Sequence, residues 1–350
     1  MIYINARFLT QDLTGVQRFA ESIATALTEI RSDLVFVSPD GIKRKDVADR
    51  LNVVVTGRNK GHFWEQIELP RYLKSQGSPL LINLGNTAPI MYAKKISTLH
   101  DITYKKFPQS YSMKFRMVYD LLIPRVLKTS LMLLTVSEFS KKEIADFYKY
   151  PIDKLHVIYN ASSDFFKNRN VSCEELFILA VSSNNYHKNF HGLISAYEKM
   201  TSELNIKLKI IGGSNGSFSA SGAASSEMLS SERIEFLGRV SDEELVKLYS
   251  SALAFVFPSL YEGFGIPPLE AQACGCPVLS SKLASMPEVL QESALFFDPM
   301  DENQFIKALE RITQEKELRN ELREKGYRNI ERFSWELSAK KLNAIINSLG

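Results

Sequence analysis

With 350 residues, 45% of them hydrophobic and 24% charged, the chain is large for one core and reads as two soluble globular domains. No apolar run approaches the ~20 residues that a membrane-spanning helix needs. The amino-terminal stretch MIYINARFLT lacks the basic start and long apolar core of a signal peptide, so a cytosolic location is expected. The net charge is only +3 but unevenly placed: residues 1–170 hold 25 Lys and Arg against 16 Asp and Glu, and the remainder hold 18 against 24. A basic first half suits an anionic partner or an anionic membrane surface. No basic run interleaved with aromatics points to nucleic acid. Cys173, Cys274 and Cys276 have no metal-ligand spacing and read as buried, reduced thiols.

In chain order, a first strand at residues 1–6 runs into a loop containing Gly15 and then a helix at about 17–30. Phe19, Ile23, Ala26, Leu27 and Ile30 make one apolar stripe on it. The loop has no G-x-G-x-x-G, so it is not a dinucleotide fingerprint. Further strands are expected at 34–38, 53–56, 80–83 and 96–99, with a helix near 63–75. Residues 84–89 form a strand-end loop, a usual place for ligand contacts in parallel sheets, and the 96–99 strand ends in His100-Asp101. A lone histidine there is more often structural than functional. Residues 107–128 are amphipathic and basic, suited to packing on the core or to docking on a bilayer or a lipid-linked ligand. A strand at 131–136, a helix capped by Ser137 and a strand at 155–159 close the first domain. The polar, aperiodic segment 162–172 reads as a linker.

The second half repeats the alternation. A strand at 176–182 leads through a polar loop to a helix ending near Met200, and a strand at 207–211 ends in Gly212-Gly213. Residues 214–226, rich in Ser, Gly and Ala, read as a flexible loop. A strand at 234–237 then runs through Gly238-Arg239-Val240-Ser241 into a helix from Asp242. The densest signal follows, FPSLYEGFGIPPLEAQACGCPVLS at 257–280. An apolar strand at 252–257 turns at Pro258 and Ser259, and a helix opened by Pro267 or Pro268 closes at Gly275. Gly263 and Gly265 let backbone approach a ligand closely, and free amides at a helix start favour an anion. Glu262, before the glycines, and Glu270, expected in the first helical turn, are acceptors that can take a diol. Two glutamates at this spacing arise often by chance. The specific signal is the whole string.

That string, EGFGIPPLEAQACGCPV, closely resembles the E-x7-E motif of family-4 glycosyltransferases, retaining enzymes of the GT-B fold. The resemblance covers nearly the whole chain and is strongest between Leu237 and Pro299. It implies an α/β architecture of two doubly wound Rossmann-like domains with a cleft between them. Residues 1–165, with a C-terminal helix at about 335–350, would bind the acceptor, and residues 172–334 the nucleotide sugar. By resemblance, Glu262, Gly263 and the amides of Phe264 and Gly265 orient the donor sugar, and Glu270 binds the ribose. Lys188 supports the pyrophosphate, His100 helps place the sugar, and Gly15 lies close to the phosphates with Arg18 as a further partner. The backbone around Arg239 and Val240 holds the base. Glu262, His100 and Lys188 are thus the catalytic candidates.

One departure stands out: the family usually carries an arginine where this chain has Ser183, which leaves Lys188 and backbone amides as the main positive groups. Asp-x-Asp does not occur, so no metal and no cofactor beyond the donor is expected. The start NARFLT…TGVQRFA, with FWEQ at 63–66, resembles enzymes that build bacterial surface polysaccharides. The implied reaction moves a hexose, with GDP-mannose as lead donor, to a lipid-linked glycan in O-antigen or capsule synthesis. The implied partners are that donor, that acceptor, and peripheral contact with the inner membrane or other polysaccharide-assembly enzymes, without nucleic acid. The alternatives are a non-transferase of the same fold, such as a sugar-nucleotide epimerase, and a catalytically silent scaffold subunit.

Overall fold

Short strands that are apolar on both faces dictate the architecture, because such strands are stable only in parallel sheets covered by helices on each side. The computed structural model describes residues 1–169, 171, 175–181, 185–200, 205–212 and 232–349. Its contacts divide the chain into two units: Met1–Ile102, Ser112–Asn160 and Ser334–Gly350 form one, and Thr103–Tyr111 with Ala161–Phe333 the other.

The first unit holds β1 (Ile2–Asn5), β2 (Leu34–Ser38), β3 (Val54–Val55), β4 (Leu80–Asn83), β5 (Lys95–Thr98), β6 (Met132–Thr135) and β7 (Leu155–Val157). They make a seven-stranded sheet in the order β3-β2-β1-β4-β5-β6-β7, parallel at every pairing. The expected helix near residue 17 starts two residues earlier and spans Gly15–Thr28, burying Phe19, Ala20, Ile23, Ala24 and Leu27. On it packs the Trp335–Asn347 helix, N-capped by Ser334. Trp335 meets Phe19 edge-on at 6.1 Å, Ser338 Oγ donates to the Tyr159 carbonyl at 2.7 Å, and Arg31 donates to Asn343 and Asn347.

Two readings change here. The amphipathic stretch makes a 3₁₀ turn at Pro108–Ser110 and becomes α-helical only at Met113, where Ser112 caps it. That Met113–Thr129 helix buries Leu122, Ile123, Val126 and Leu127 and leaves Met113, Met117 and Leu121 exposed. The helix near 63–75 begins at Gly61 and carries a π-helical turn, Trp64–Glu68, ahead of Leu69–Ser75.

The second unit holds β8 (Phe177–Val181), β9 (Lys207–Ile211), β10 (Ile234–Gly238), β11 (Ala254–Phe257), β12 (Val278–Ser281) and β13 (Ala294–Phe297). Their order is β10-β9-β8-β11-β12-β13 in a six-stranded sheet, again parallel. Its core is built from Ile178, Leu208, Ile210, Val256 and Leu279 on the strands and from Leu193, Tyr197, Phe305 and Leu309 on covering helices. The expected linker is partly packed, since Ala161 and Phe166 are buried and Phe166 meets Tyr249 edge-on. Cys173, Ser183 and the Ser/Gly/Ala-rich loop lie outside the described residues. Among the described residues no helix is long and apolar enough to cross a membrane.

The terminal helix contributes core to the first unit, with Leu342 fully buried. Leu342→Ala is expected to cost about 2–5 kcal/mol, as large-to-small core changes do, read as a lower urea midpoint by circular dichroism.

Candidate functional site

An open parallel sheet winds away from its first strand in one direction and later continues on the other side. Where the direction reverses, the carboxyl ends of neighbouring strands part, and ligands bind there. In the second unit that point lies between β8 and β11. Lys188 follows β8 on the 3₁₀ turn Tyr186–Lys188. Glu262 lies in the loop that links β11 to the Ile266–Ala273 helix.

The two side chains meet. Lys188 Nζ donates to Glu262 Oε1 at 2.6 Å, with 22% and 14% of the side chains exposed. The backbones are joined as well, since the Leu260 amide donates to the His187 carbonyl at 2.7 Å. His187 itself is buried, with Nδ1 2.9 Å from Ser110 Oγ, so it serves structure. In the two loops that carry the pair, Ser259 Oγ and Asn189 Nδ2 are buried and have no hydrogen-bond partner among the described residues. Unmet polar groups of this kind are costly when left so, and a bound ligand or water can satisfy them.

A residue that the motif reading did not single out holds the loop in shape. Ser285 Oγ lies 3.0 Å from the Glu262 carbonyl and 3.1 Å from the Phe264 carbonyl. Its signal in the sequence was the SMPE string just after the next strand. Gly265 is needed for backbone reasons before any ligand is considered: its φ is +92°, and a Cβ there would come 2.5 Å from Met286 Cε. As N-cap of the Ile266–Ala273 helix it offers no side chain to the first-turn amides.

Glu270 needs correction. The helix starts at Ile266 and not at Pro267 or Pro268, so Glu270 is its fifth residue and stands in the second turn, only 5% exposed. An acid in that position does not serve the helix dipole as a first-turn residue would. Arg239 and Val240 follow β10, two strands away from β8 across the sheet. Gly238 turns the chain there with φ +68° and Ser241 caps the next helix, and Arg239 is exposed. Lys188, Glu262 and the glycine loop are thus brought together, while Arg239 and Val240 sit at the sheet's edge.

In the first unit His100 follows β5 and is buried. Its amide donates to Asn86 Oδ1 at 2.9 Å, and its Nε2 lies 3.1 Å from the Leu84 carbonyl. A carbonyl can only accept, so Nε2 carries the proton and Nδ1 is left as an acceptor. Burial pushes the imidazole below its ordinary 6.5, against the Leu84 carbonyl and Asp101, which act upward. Its ring stands edge-on to Phe19 at 4.9 Å, next to the helix that Gly15 opens. A Cβ on Gly15 would meet nothing within 4 Å, so open space surrounds that helix start. Among the described residues no group of three or more His, Cys, Asp or Glu side chains is arranged to hold a metal ion.

Comparison with known proteins gives a consistent picture. The family described as Glycosyltransferase Family 4 matches residues 13–162, and Glycosyl transferases group 1 matches residues 162–329. The chain is 33% identical over 311 residues to the O-antigen chain mannosyltransferase RfbU of Salmonella typhimurium, covering 86% of this chain and 85% of that one. It is 32% identical over 262 residues to the O-antigen chain mannosyltransferase B of Escherichia coli, covering 71% and 68%. Among solved structures, sucrose-phosphate synthase from Thermosynechococcus elongatus superposes with a TM-score of 0.78 over 99% of this chain and 98% of that one, at 18% identity.

The buried, neutral His100 makes a pH test. Above 6.5 both folded and unfolded chains leave it uncharged; as the pH falls below that value the unfolded chain takes up a proton first, so stability drops until the lower folded value is passed. His156 and His191, also pushed down chiefly by burial, act in the same direction. His100→Asn is therefore expected to flatten part of the fall in melting temperature between about pH 7 and pH 5. An unchanged slope in a scanning-fluorimetry series would contradict the buried neutral assignment.

Proposed function

The chain belongs to glycosyltransferase family 4, and from that premise we propose that it transfers mannose from GDP-mannose, with retention, to a lipid-linked glycan during assembly of a bacterial O-antigen or capsule. Its GT-B architecture and its glycosyltransferase class follow from the family. Mannose and the polysaccharide acceptor rest on what the two relatives are named for. Those relatives favour transfer over epimerisation or a silent scaffold. A cytosolic protein touching the inner membrane peripherally belongs to the same proposal.

The observation that carries the mechanism is the Lys188–Glu262 pair at the reversal point of the second sheet. In the proposed reaction the bond from the sugar's anomeric carbon to the diphosphate breaks, and its electron pair leaves with GDP. An acceptor hydroxyl attacks from the same face, and its proton passes to an oxygen of the departing diphosphate. Charge therefore grows on the diphosphate, and positioned donors are the main means of stabilising it. Lys188 would supply them together with the Gly265 and Ile266 amides and the dipole of the Ile266–Ala273 helix, since Pro267 and Pro268 have no N–H to give.

Glu262, with the Gly263, Phe264 and Gly265 backbone, would hold the sugar hydroxyls. Glu270 would take the ribose, and the backbone at Arg239 and Val240 the base. Gly15 and His100 keep the roles that the family gives them, closeness to the phosphates and placement of the sugar. His100 fits this as a neutral acceptor through Nδ1 and not as a proton source. No metal or other cofactor is part of the proposal.

Glu262→Gln is expected to lower kcat by about 10²–10³, the usual loss when a polar contact to the transition state goes, with GDP affinity nearly unchanged. Glu270→Ala should instead weaken GDP binding measured by calorimetry. Equal activity in both variants would remove these assignments. Excess chelator should leave the rate unchanged, and full loss would overturn the metal-free proposal.

A further inference from the structure

The first unit has a reversal point of its own, between β1 and β4, and a buried polar cluster is built on it. Asn5 and Asn83, the last residues of the two strands, pair in register. Asn5 Nδ2 lies 3.0 Å from Asn83 Oδ1 and 3.0 Å from Glu65 Oε1. Glu65 is 1% exposed and comes from the π-helical turn Trp64–Glu68. Such turns are rare and gather at functional sites. Glu65 also receives Arg7 Nε at 3.1 Å and Thr87 Oγ1 at 2.7 Å, and Thr87 Oγ1 in turn accepts from Arg7 Nη2 at 2.8 Å. Burial works against ionisation of Glu65, but Arg7, His62 and Thr87 outweigh it and hold the carboxyl at about 2.

Stability alone is a poor reason for this arrangement, because a buried ion pair is often no better than apolar residues of similar size. The geometry offers another reason. Glu65, Thr87 and Asn5 fix Arg7 from behind, while 12% of its side chain stays exposed. Tyr119, from the Met113–Thr129 helix, is bonded to Asn86 and feels the Arg7 and Glu65 charges. Asn86 is the residue that holds the His100 amide. Arg7, Tyr119 and Asn86, all partly exposed, thus stand together at the carboxyl end of the sheet.

We propose that this cluster is a subsite for a neutral sugar ring of the acceptor glycan, with Arg7 and Tyr119 binding its hydroxyls and Glu65 positioning Arg7. The proposal rests on the glycosyltransferase reading and adds the acceptor residues to it. A neutral ring is favoured over a phosphate because Glu65, 3.1 Å away, balances the guanidinium charge. A fixed planar fork of donors then recognises shape and hydroxyl pattern more than charge.

The test measures binding directly, without turnover, on the full chain. Methyl α-mannobioside is titrated by saturation-transfer NMR into wild type, Arg7→Gln, Tyr119→Phe and Glu65→Gln, and GDP into each by calorimetry. Mannobioside affinity should fall at least tenfold in all three variants while GDP affinity stays within twofold. Glu65→Gln can lower the melting temperature for structural reasons, but a structural role would not separate the two ligands. Tyr119→Phe removes a single hydroxyl and keeps the test valid should Arg7→Gln fail to fold. Unchanged mannobioside affinity in Tyr119→Phe, or no binding by wild type, overturns the subsite. Inorganic phosphate competing with mannobioside would overturn the neutral-ring assignment. Failure of wild type to bind GDP would count against the donor reading and leave the mannobioside result to stand by itself.

Discussion

A parallel strand that is buried on both faces has no room for chemistry along its length, and every polar side chain that does work must stand at its carboxyl end. This constraint organises the whole chain. β1, β8 and β11 are apolar for almost all of their length, and the polar residues appear at the strand ends or just beyond: Asn5 closing β1 with Arg7 past it, Asn83 closing β4 with Asn86 and Thr87 past it, Lys188 after β8, Glu262 after β11. The reversals of winding at β1/β4 and β8/β11 then decide which ends become neighbours. Residues far apart in sequence, such as Lys188 and Glu262, meet for that reason.

The loop that carries Glu262 shows how much of a binding motif is scaffolding. The single Ser285 hydroxyl is shared between two of its carbonyls, the His187 carbonyl takes the Leu260 amide, and Met286 fills the space that a side chain at Gly265 would need. Glycine at that position therefore follows from φ and packing even before a donor is bound. Motif strings such as EGFG mix residues that touch ligand with residues that fix the backbone, and only coordinates separate them.

The alternation of strand and helix, the doubled sheet and the terminal helix were legible because apolar periodicity and capping residues are local signals. Element edges were less so. β5 starts at Lys95, a residue that polarity alone would leave outside a strand. Its ammonium is satisfied within the fold by the nearby Tyr92 carbonyl at 2.7 Å and by Thr129 Oγ1 at 2.6 Å, the latter from a residue distant in sequence. The position of Glu270 was misjudged for a related reason: two prolines permit several helix starts, and tertiary packing of Ile266 selects one. The Lys188–Glu262 bond leaves no trace in the sequence, since 74 positions separate the two residues and only the sheet's winding brings them together. FWEQ stands out as a string, but Glu65 finds Asn5 and Arg7 at the end of β1 and Thr87 beyond β4, and two strand ends so far apart leave no spacing to recognise.

The two ion pairs at the two reversal points are built for different work. Arg7–Glu65 is held on several sides, with Glu65 almost wholly buried, so its geometry is fixed and its charge is balanced. Lys188–Glu262 is a single contact between partly exposed groups. An ammonium has three donors on a flexible stem, so it can keep Glu262 and still reach an anion. At about 4 Å and an effective dielectric near 20, a charge pair is worth about 4 kcal/mol, enough for one lysine to matter but shared here with a carboxylate. With Ser183 where the family usually carries an arginine, that position adds no guanidinium to offset the sharing. In the proposed reaction the backbone would then carry more of the diphosphate. Because Pro267 and Pro268 have no N–H, this falls to the Gly265 and Ile266 amides and to the dipole of the Ile266–Ala273 helix, whose N-cap has no side chain.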